Sequence, residues 1–204
     1  MKLKSIKVLI TFLLFLLCAG ITGNTGSLDS LIARYADAKM IKLNVHIVVT
    51  SDVFGDTDTT AGNITIADDG RYAAYIGNDF YIFDSKCIWE YSYDNNQATR
   101  DCLKPGETFE NELVFIKNLK KYYRTTDEQK DTLFLLVKKD SVQNQLPDSL
   151  YLTLKNARLN ELRFFDLNHD QNFVYILSDS VMNAIDPSAF NINLPDSAEV
   201  ITLP

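Results

Sequence analysis

The chain has 204 residues, 46% of them apolar, with 20 basic against 27 acidic side chains and a net charge of −7. An acidic balance of this size disfavours nucleic acid and anionic lipid headgroups as partners, since both attract Lys and Arg clusters. Behind the N-terminal apolar run about 180 residues remain, enough for one sizeable core and a poor fit to two domains.

Residues 1–23 read as a secretory signal peptide. Lys2, Lys4 and Lys7 make a basic start, and the apolar run from Val8 to Leu17 is shorter than the roughly 20 residues of a membrane span. Cys18-Ala19-Gly20 and Gly23 supply the small side chains a signal peptidase needs, so cleavage is expected near 20–23. The rival reading is a lipoprotein acylated on Cys18, but Leu17 stands where that signal wants a small residue. Residues 24–204 are thus expected as one soluble domain in the periplasm. Removing the three signal lysines from the 20 basic side chains leaves 17 against 27 acidic ones, a net of −10. Cys87 and Cys102 survive in a compartment that permits disulfides, and no CxxC pair supports a redox role.

From Ser27 to about Met40, Leu28, Leu31, Ile32, Tyr35 and Ala38 recur at helical spacing behind Ser27 as N-cap. Eleven short β-branched or aromatic segments, punctuated by Gly, Asn, Asp or Pro, predict strands. Six come first: Lys42–Val53, Gly62–Asp68, Tyr72–Ile76, Phe80–Asp84, Cys87–Tyr91 and Gln97–Leu103. A second amphipathic helix is expected from Thr108 to Tyr122, with Phe109, Leu113, Ile116 and Leu119 on one stripe. Strands resume at Thr132–Lys138, Ser149–Leu154, Arg158–Asp166, Asn172–Leu177 and Phe190–Leu194. Two helices cannot wrap both faces of such a sheet. The expected fold is mainly β: a large antiparallel meander curled on itself, with the helices plugging its concave side.

One hairpin can be read in register. A turn at Asp94-Asn95 pairs Tyr91 with Ala98, Trp89 with Arg100 and Cys87 with Cys102. Opposed residues share a face, and this apolar face is expected to be the concave one. Cys87 and Cys102 then either form a disulfide or face each other as buried thiols. Arg100, alone among apolar neighbours, stacks on Trp89, latches a capping helix, or lies solvated at a strand end.

Gly62-Asn-Ile-Thr-Ile, Gly70-Arg-Tyr, Phe80-Tyr-Ile-Phe-Asp-Ser-Lys-Cys-Ile-Trp-Glu-Tyr and Asn96-Gln-Ala-Thr99 follow one another. With Leu162, Asp166 and Phe190-Asn-Ile-Asn-Leu-Pro195, this ordered set resembles the LolA-like periplasmic carriers of outer-membrane lipoproteins. The resemblance implies an incomplete antiparallel β-barrel with helices over an apolar cavity for acyl chains. It implies cavity residues Ile64, Ile66, Phe80, Ile82, Trp89, Tyr91, Phe134, Leu136, Leu152, Leu162, Phe164 and Phe173, under lid residues Leu31, Ile32, Tyr35, Leu113 and Ile116. The implied partners are lipoprotein acyl chains, an inner-membrane lipoprotein-releasing ABC transporter and an outer-membrane acceptor, for a monomer that needs no cofactor. The same fold also serves lipid- or lipoprotein-sensing regulatory modules, which is the alternative function. The family's basic latch residue after the Gly-led strand is missing, because Ala67-Asp68-Asp69 occupies that stretch.

No constellation for catalysis is present in the sequence, and no enzyme is expected. There is no nucleophile elbow and no phosphate-cradling Gly loop. His46 and His169 stand far apart without helix-spaced partners. Asp166-Leu-Asn168-His-Asp170 opens like a calcium loop, but Gln171 replaces its Gly and Leu177 its bidentate Glu. A hairpin turn is expected there instead, and no metal.

Overall fold

The computed structural model describes residues 27–106, 112–130, 132–142 and 146–203. The expected signal peptide and the first residues of the expected second helix lie outside them.

Helix α1 (Ser27–Asp37) carries Asp29 in its first turn and Arg34 in its last, each complementing the helix dipole. Its stripe buries Leu28, Leu31 and Tyr35 completely or nearly so. Within the described residues the second helical segment is a 3-10 helix over Glu112–Asn118 that leads into a single α turn, α2 (Leu119–Tyr122). Lys117, Lys120 and Lys121 crowd its end, and the chain passes directly into a strand at Tyr123.

Among the described residues, twelve strands form one sheet. They are β1 (Met40–Thr50), β2 (Thr57–Ala67), β3 (Tyr72–Ile76), β4 (Asp79–Phe83), β5 (Cys87–Ser92), β6 (Gln97–Cys102), β7 (Tyr123–Lys130), β8 (Leu133–Lys138), β9 (Ser149–Lys155), β10 (Arg158–Phe165), β11 (Gln171–Met182) and β12 (Glu199–Thr202). Their order, β12-β6-β5-β4-β3-β2-β1-β11-β10-β9-β8-β7, joins two meanders along the β1–β11 seam. The edges β12 and β7 do not meet, so the curved sheet is an unclosed barrel. β12 alone runs parallel to its neighbour, β6.

The sheet supports two cores, one on each face. The larger packs Leu31 and Tyr35 of α1, with Ile116 and Leu119, onto Leu43, Val45, Ile66, Leu136, Leu150, Leu152 and Leu162 of the strands. The smaller lies on the opposite face, where Met40, Ala67, Ala73, Phe80, Ile82, Tyr91 and Ala98 meet Phe190. Ile185, Ile192 and Leu194 complete it. The stretch 190–194 is therefore no strand. Asp186 caps a 3-10 turn over Pro187–Phe190, and the chain beyond runs outside the sheet, setting alternate apolar side chains onto that face. The edge strand β7, Tyr-Arg-Thr-Thr-Asp-Glu-Gln-Lys, has no apolar alternation and was not expected. Its exposed Arg124 suits an edge, where a charge opposes pairing with another sheet.

Candidate functional site

β1 alternates Leu43, Val45 and Ile47 toward the helices with Asn44, His46 and Val48 away from them, as a strand period of two dictates. Register carries this face across the sheet: Leu43 opposes Ile64, and Ile64 opposes Ala74. On the other side of the seam Leu162 opposes Val174. These side chains, with Ile66, Ile76, Tyr81, Phe164 and Ile176, line a partly open cavity of about 380 Å³, roofed by Phe115 and Ile116 of the 3-10 helix. That volume lies at the lower end of the roughly 300–1,000 Å³ typical of small-ligand sites.

The wall is almost wholly apolar. Asn172 faces it, but its side-chain amide donates to Asp166 Oδ2 at 3.1 Å and to the Asp170 carbonyl at 3.0 Å, both in the adjoining turn. A wall whose polar groups are satisfied outside it holds water poorly and hydrocarbon well.

Sequence-expected residues separate into three sets. Ile64, Ile66, Leu162 and Phe164 line this cavity. Phe134, Leu136 and Leu152 share its face but are buried in the core that contains Leu31, and Leu136 lines a separate cleft. Phe80, Ile82, Trp89 and Tyr91 are on the other face, in the core capped by the C-terminal segment, and Phe173 also points away, stacking on Tyr175 at 6.3 Å. The hairpin has the expected register, with Cys87 opposite Cys102 and Trp89 opposite Arg100. Its apolar face is buried, but against residues 185–198 rather than the cavity. Sequence reading missed Leu43, Val45, Ile47, Val174 and Ile176, although the β1 alternation signals them.

Of the lid residues, Ile116 roofs the cavity. Leu31 and Tyr35 back it from α1, and Ile32 lines a cleft of about 350 Å³ between α1, α2 and the β7–β8 edge. The side chain of Leu113 lies outside those described. Arg100 is no latch to the helices. Its guanidinium sits 5.1 Å from the centre of the Trp89 ring on the opposite face, with Nε buried and unbonded. Cys87 and Cys102 form a disulfide.

What ties α1 to the sheet is Asp179 of β11. Its buried carboxylate pairs with Arg34 of α1, accepts the Tyr35 hydroxyl at 3.0 Å and takes Arg158 Nη1 at 2.9 Å. Burial pushes the carboxyl up, but the bonds from Arg34 and Tyr35, then the charge of Arg34, hold it below the usual range. Burial raises the Tyr35 hydroxyl in turn, with Asp179 adding to the effect. Lys117, itself buried and depressed by desolvation, donates to the Ala38 carbonyl and joins the 3-10 segment to the end of α1. The polarity of the tie is thus acid on sheet and base on helix. In place of a basic latch, Asp68 pairs with Lys39 and Asp69 with Arg71.

No family model matches the sequence, and no curated protein matches it. Among solved structures the chain is similar to an uncharacterized conserved protein from Thermus thermophilus, at 12% identity and a TM-score of 0.49, covering 87% of this chain and 99% of that one. It is also similar to a LolA superfamily protein from Nitrosomonas europaea, at 10% identity and a TM-score of 0.42, covering 80% and 97%. A putative outer membrane lipoprotein-sorting protein domain from Vibrio parahaemolyticus aligns at 10% identity and a TM-score of 0.42, over 78% and 94%. At these TM-scores the likeness is one of general outline. The cavity itself bears on function.

Proposed function

We propose that the chain is a periplasmic, non-catalytic carrier that shields the acyl chains of lipoproteins while they pass from the inner to the outer membrane. The observation that supports this most directly is the apolar, partly open cavity beneath a short 3-10 roof. At about 0.8 kcal/mol per methylene, a 16-carbon chain resists leaving a membrane by roughly 12 kcal/mol. A dry cavity offsets most of that cost, and no bond needs to be made or broken.

Release requires the lid to move. The 3-10 helix has poorer hydrogen-bond geometry than an α-helix, and beyond the apolar packing of Ile116 the polar ties to α1 are Lys117 and, from α2, an exposed Lys120–Asp29 pair at 2.8 Å. Such a roof can lift without disturbing the sheet. An inner-membrane ABC transporter would load the carrier and an outer-membrane acceptor would unload it. The test is release of an acylated lipoprotein from inner-membrane vesicles. A soluble carrier–lipoprotein complex is expected when the protein is added, and cargo that stays with the membrane at saturating protein would rule the carrier out.

A further inference from the structure

Two loops leave neighbouring strands at one end of the sheet. Thr50, the last residue of β1, opposes Gln171, and so does Phe165, the last of β10. The β1–β2 loop and the β10–β11 turn therefore emerge side by side, cross-braced where the Asp52 amide donates to Asp170 Oδ1 at 2.9 Å.

Each loop is folded by bonds of its own backbone amides. The Ser51 amide donates to the Asp56 carbonyl and the Gly55 amide to the Ser51 carbonyl, each at 3.0 Å. In the turn, the Asp166 carboxylate accepts the amides of Asn168 and Asp170 at 2.9 and 3.0 Å. What projects is apolar: Phe54 is 83% exposed, Val53 76%, Leu167 73% and Phe165 58%. Single exposed apolar residues are ordinary, but three on two braced adjacent loops with a fourth at the end of β10 are not. Beside them opens a groove of about 680 Å³, bounded by Phe165 and Leu167 and reaching Phe115 and Phe164, which also line the cavity.

We propose that this end of the molecule is a membrane-docking tip that inserts Phe54 and Leu167 into zwitterionic bilayers and brings the groove to the lipid surface. This deepens the carrier reading and rests on it. The side chains protrude singly from loop apices, a shape that enters a fluid interface and leaves no flat patch for a protein. Charge selects the lipid. Residues 51–58 and 165–171 contain no Lys or Arg, while Asp52, Asp56 and Asp58 are exposed. Anionic headgroups should repel the tip, the reverse of ordinary basic membrane anchors.

The test is flotation of the protein, recovered from the periplasm of an expressing host, with phosphatidylcholine vesicles. The wild type should float with them. Adding phosphatidylglycerol at low salt should weaken binding several-fold, and 0.5 M salt should restore it. The double variant Phe54→Ser/Leu167→Ser should lose at least tenfold in partitioning, while Leu177→Ser, an equally exposed site on β11, should not change it. All variants should unfold at the wild-type denaturant midpoint. A wild type that ignores phosphatidylcholine, or a double variant that floats as well as wild type, overturns the proposal. So does a double variant that slows lipoprotein release without vesicle binding, since the tip would then dock on a protein. A fluorescent fatty-acid probe separates this from the carrier reading. Probe binding without vesicle binding sinks the tip alone, and loss of both sinks the carrier reading with it.

Discussion

Ala157 closes the β9–β10 hairpin in a conformation that suits glycine. Asn156 and Ala157 have φ of 52° and 58°, a two-residue turn whose second position normally holds Gly. Relieving the left-handed strain is worth about 1 kcal/mol, so Ala157→Gly should raise the urea midpoint with an unchanged slope. A lower midpoint would mean the turn differs from that described. Gly62 makes the opposite case. An added Cβ would sit 2.6 Å from Ile76 Cδ1 and 2.9 Å from the Tyr75 carbonyl oxygen. Ile76 could rotate, but the backbone oxygen cannot, so Gly62→Ala should cost about 1–3 kcal/mol. A neutral effect in the same urea experiment would contradict the β2–β3 packing. Arg100 shows how far one residue can be read. Its partner Trp89 followed from register, whereas the face they share depended on a chain segment ninety residues downstream.

At the scale of elements, α1 is held to the sheet by its apolar stripe and by Asp179. The folded-state pKa of that carboxylate is lowered, below an unfolded value of about 3.9. The tie is therefore complete above about pH 4 and is lost as pH falls through the folded pKa. Arg158 is largely exposed and adds little, so Arg34 and Tyr35 carry most of the effect. Asp179→Asn should cost about 2 kcal/mol at neutral pH and flatten the acid limb of the stability curve. Amide exchange in α1 should quicken before that in β1; unchanged exchange would place the anchor elsewhere. The Cys87–Cys102 bond closes a loop of sequence separation 15, which the chain-entropy model values at about 3 kcal/mol. Non-reducing mass spectrometry should find neither thiol alkylatable, and reduction should lower the midpoint; labelling of both in the unreduced protein would refute the pairing. Strand identities were largely legible because β-branched alternation and turn residues agree. β7 was not, since an edge strand needs no buried face and its sequence shows none. The second helix runs to its expected end at Tyr122, but residues 112–118 are 3-10, because their apolar period fits a 3-10 segment as well as an α-helix.

Across the whole molecule, the curved sheet with helices on its concave side was legible from the ratio of strands to helices. The cavity was legible only in part. Binary patterning fixes which residues of a strand share a face, yet it does not say which face holds the ligand space when both are covered. Phe80, Ile82, Trp89 and Tyr91 on the more aromatic β4–β6 face were expected to line the cavity beside Ile64, Ile66, Leu162 and Phe164, but residues 185–198 cover that face as ordinary core. The cavity lies on the other, plainer aliphatic face, where Ile64, Ile66, Leu162 and Phe164 line it with residues of β1 and β11. Within it, Ala74 opposes Tyr81 on the wall and is 2% exposed. Ala74→Phe would direct a ring into the void while leaving the second core untouched. The most direct measurement is therefore titration of a fluorescent fatty acid against wild type and Ala74→Phe, with displacement by an unlabelled acyl chain. Saturable, displaceable binding that falls at least tenfold in a variant still unfolding cooperatively is the expected result. No binding by wild type, or equal binding by Ala74→Phe, would contradict the claim that this cavity holds acyl chains.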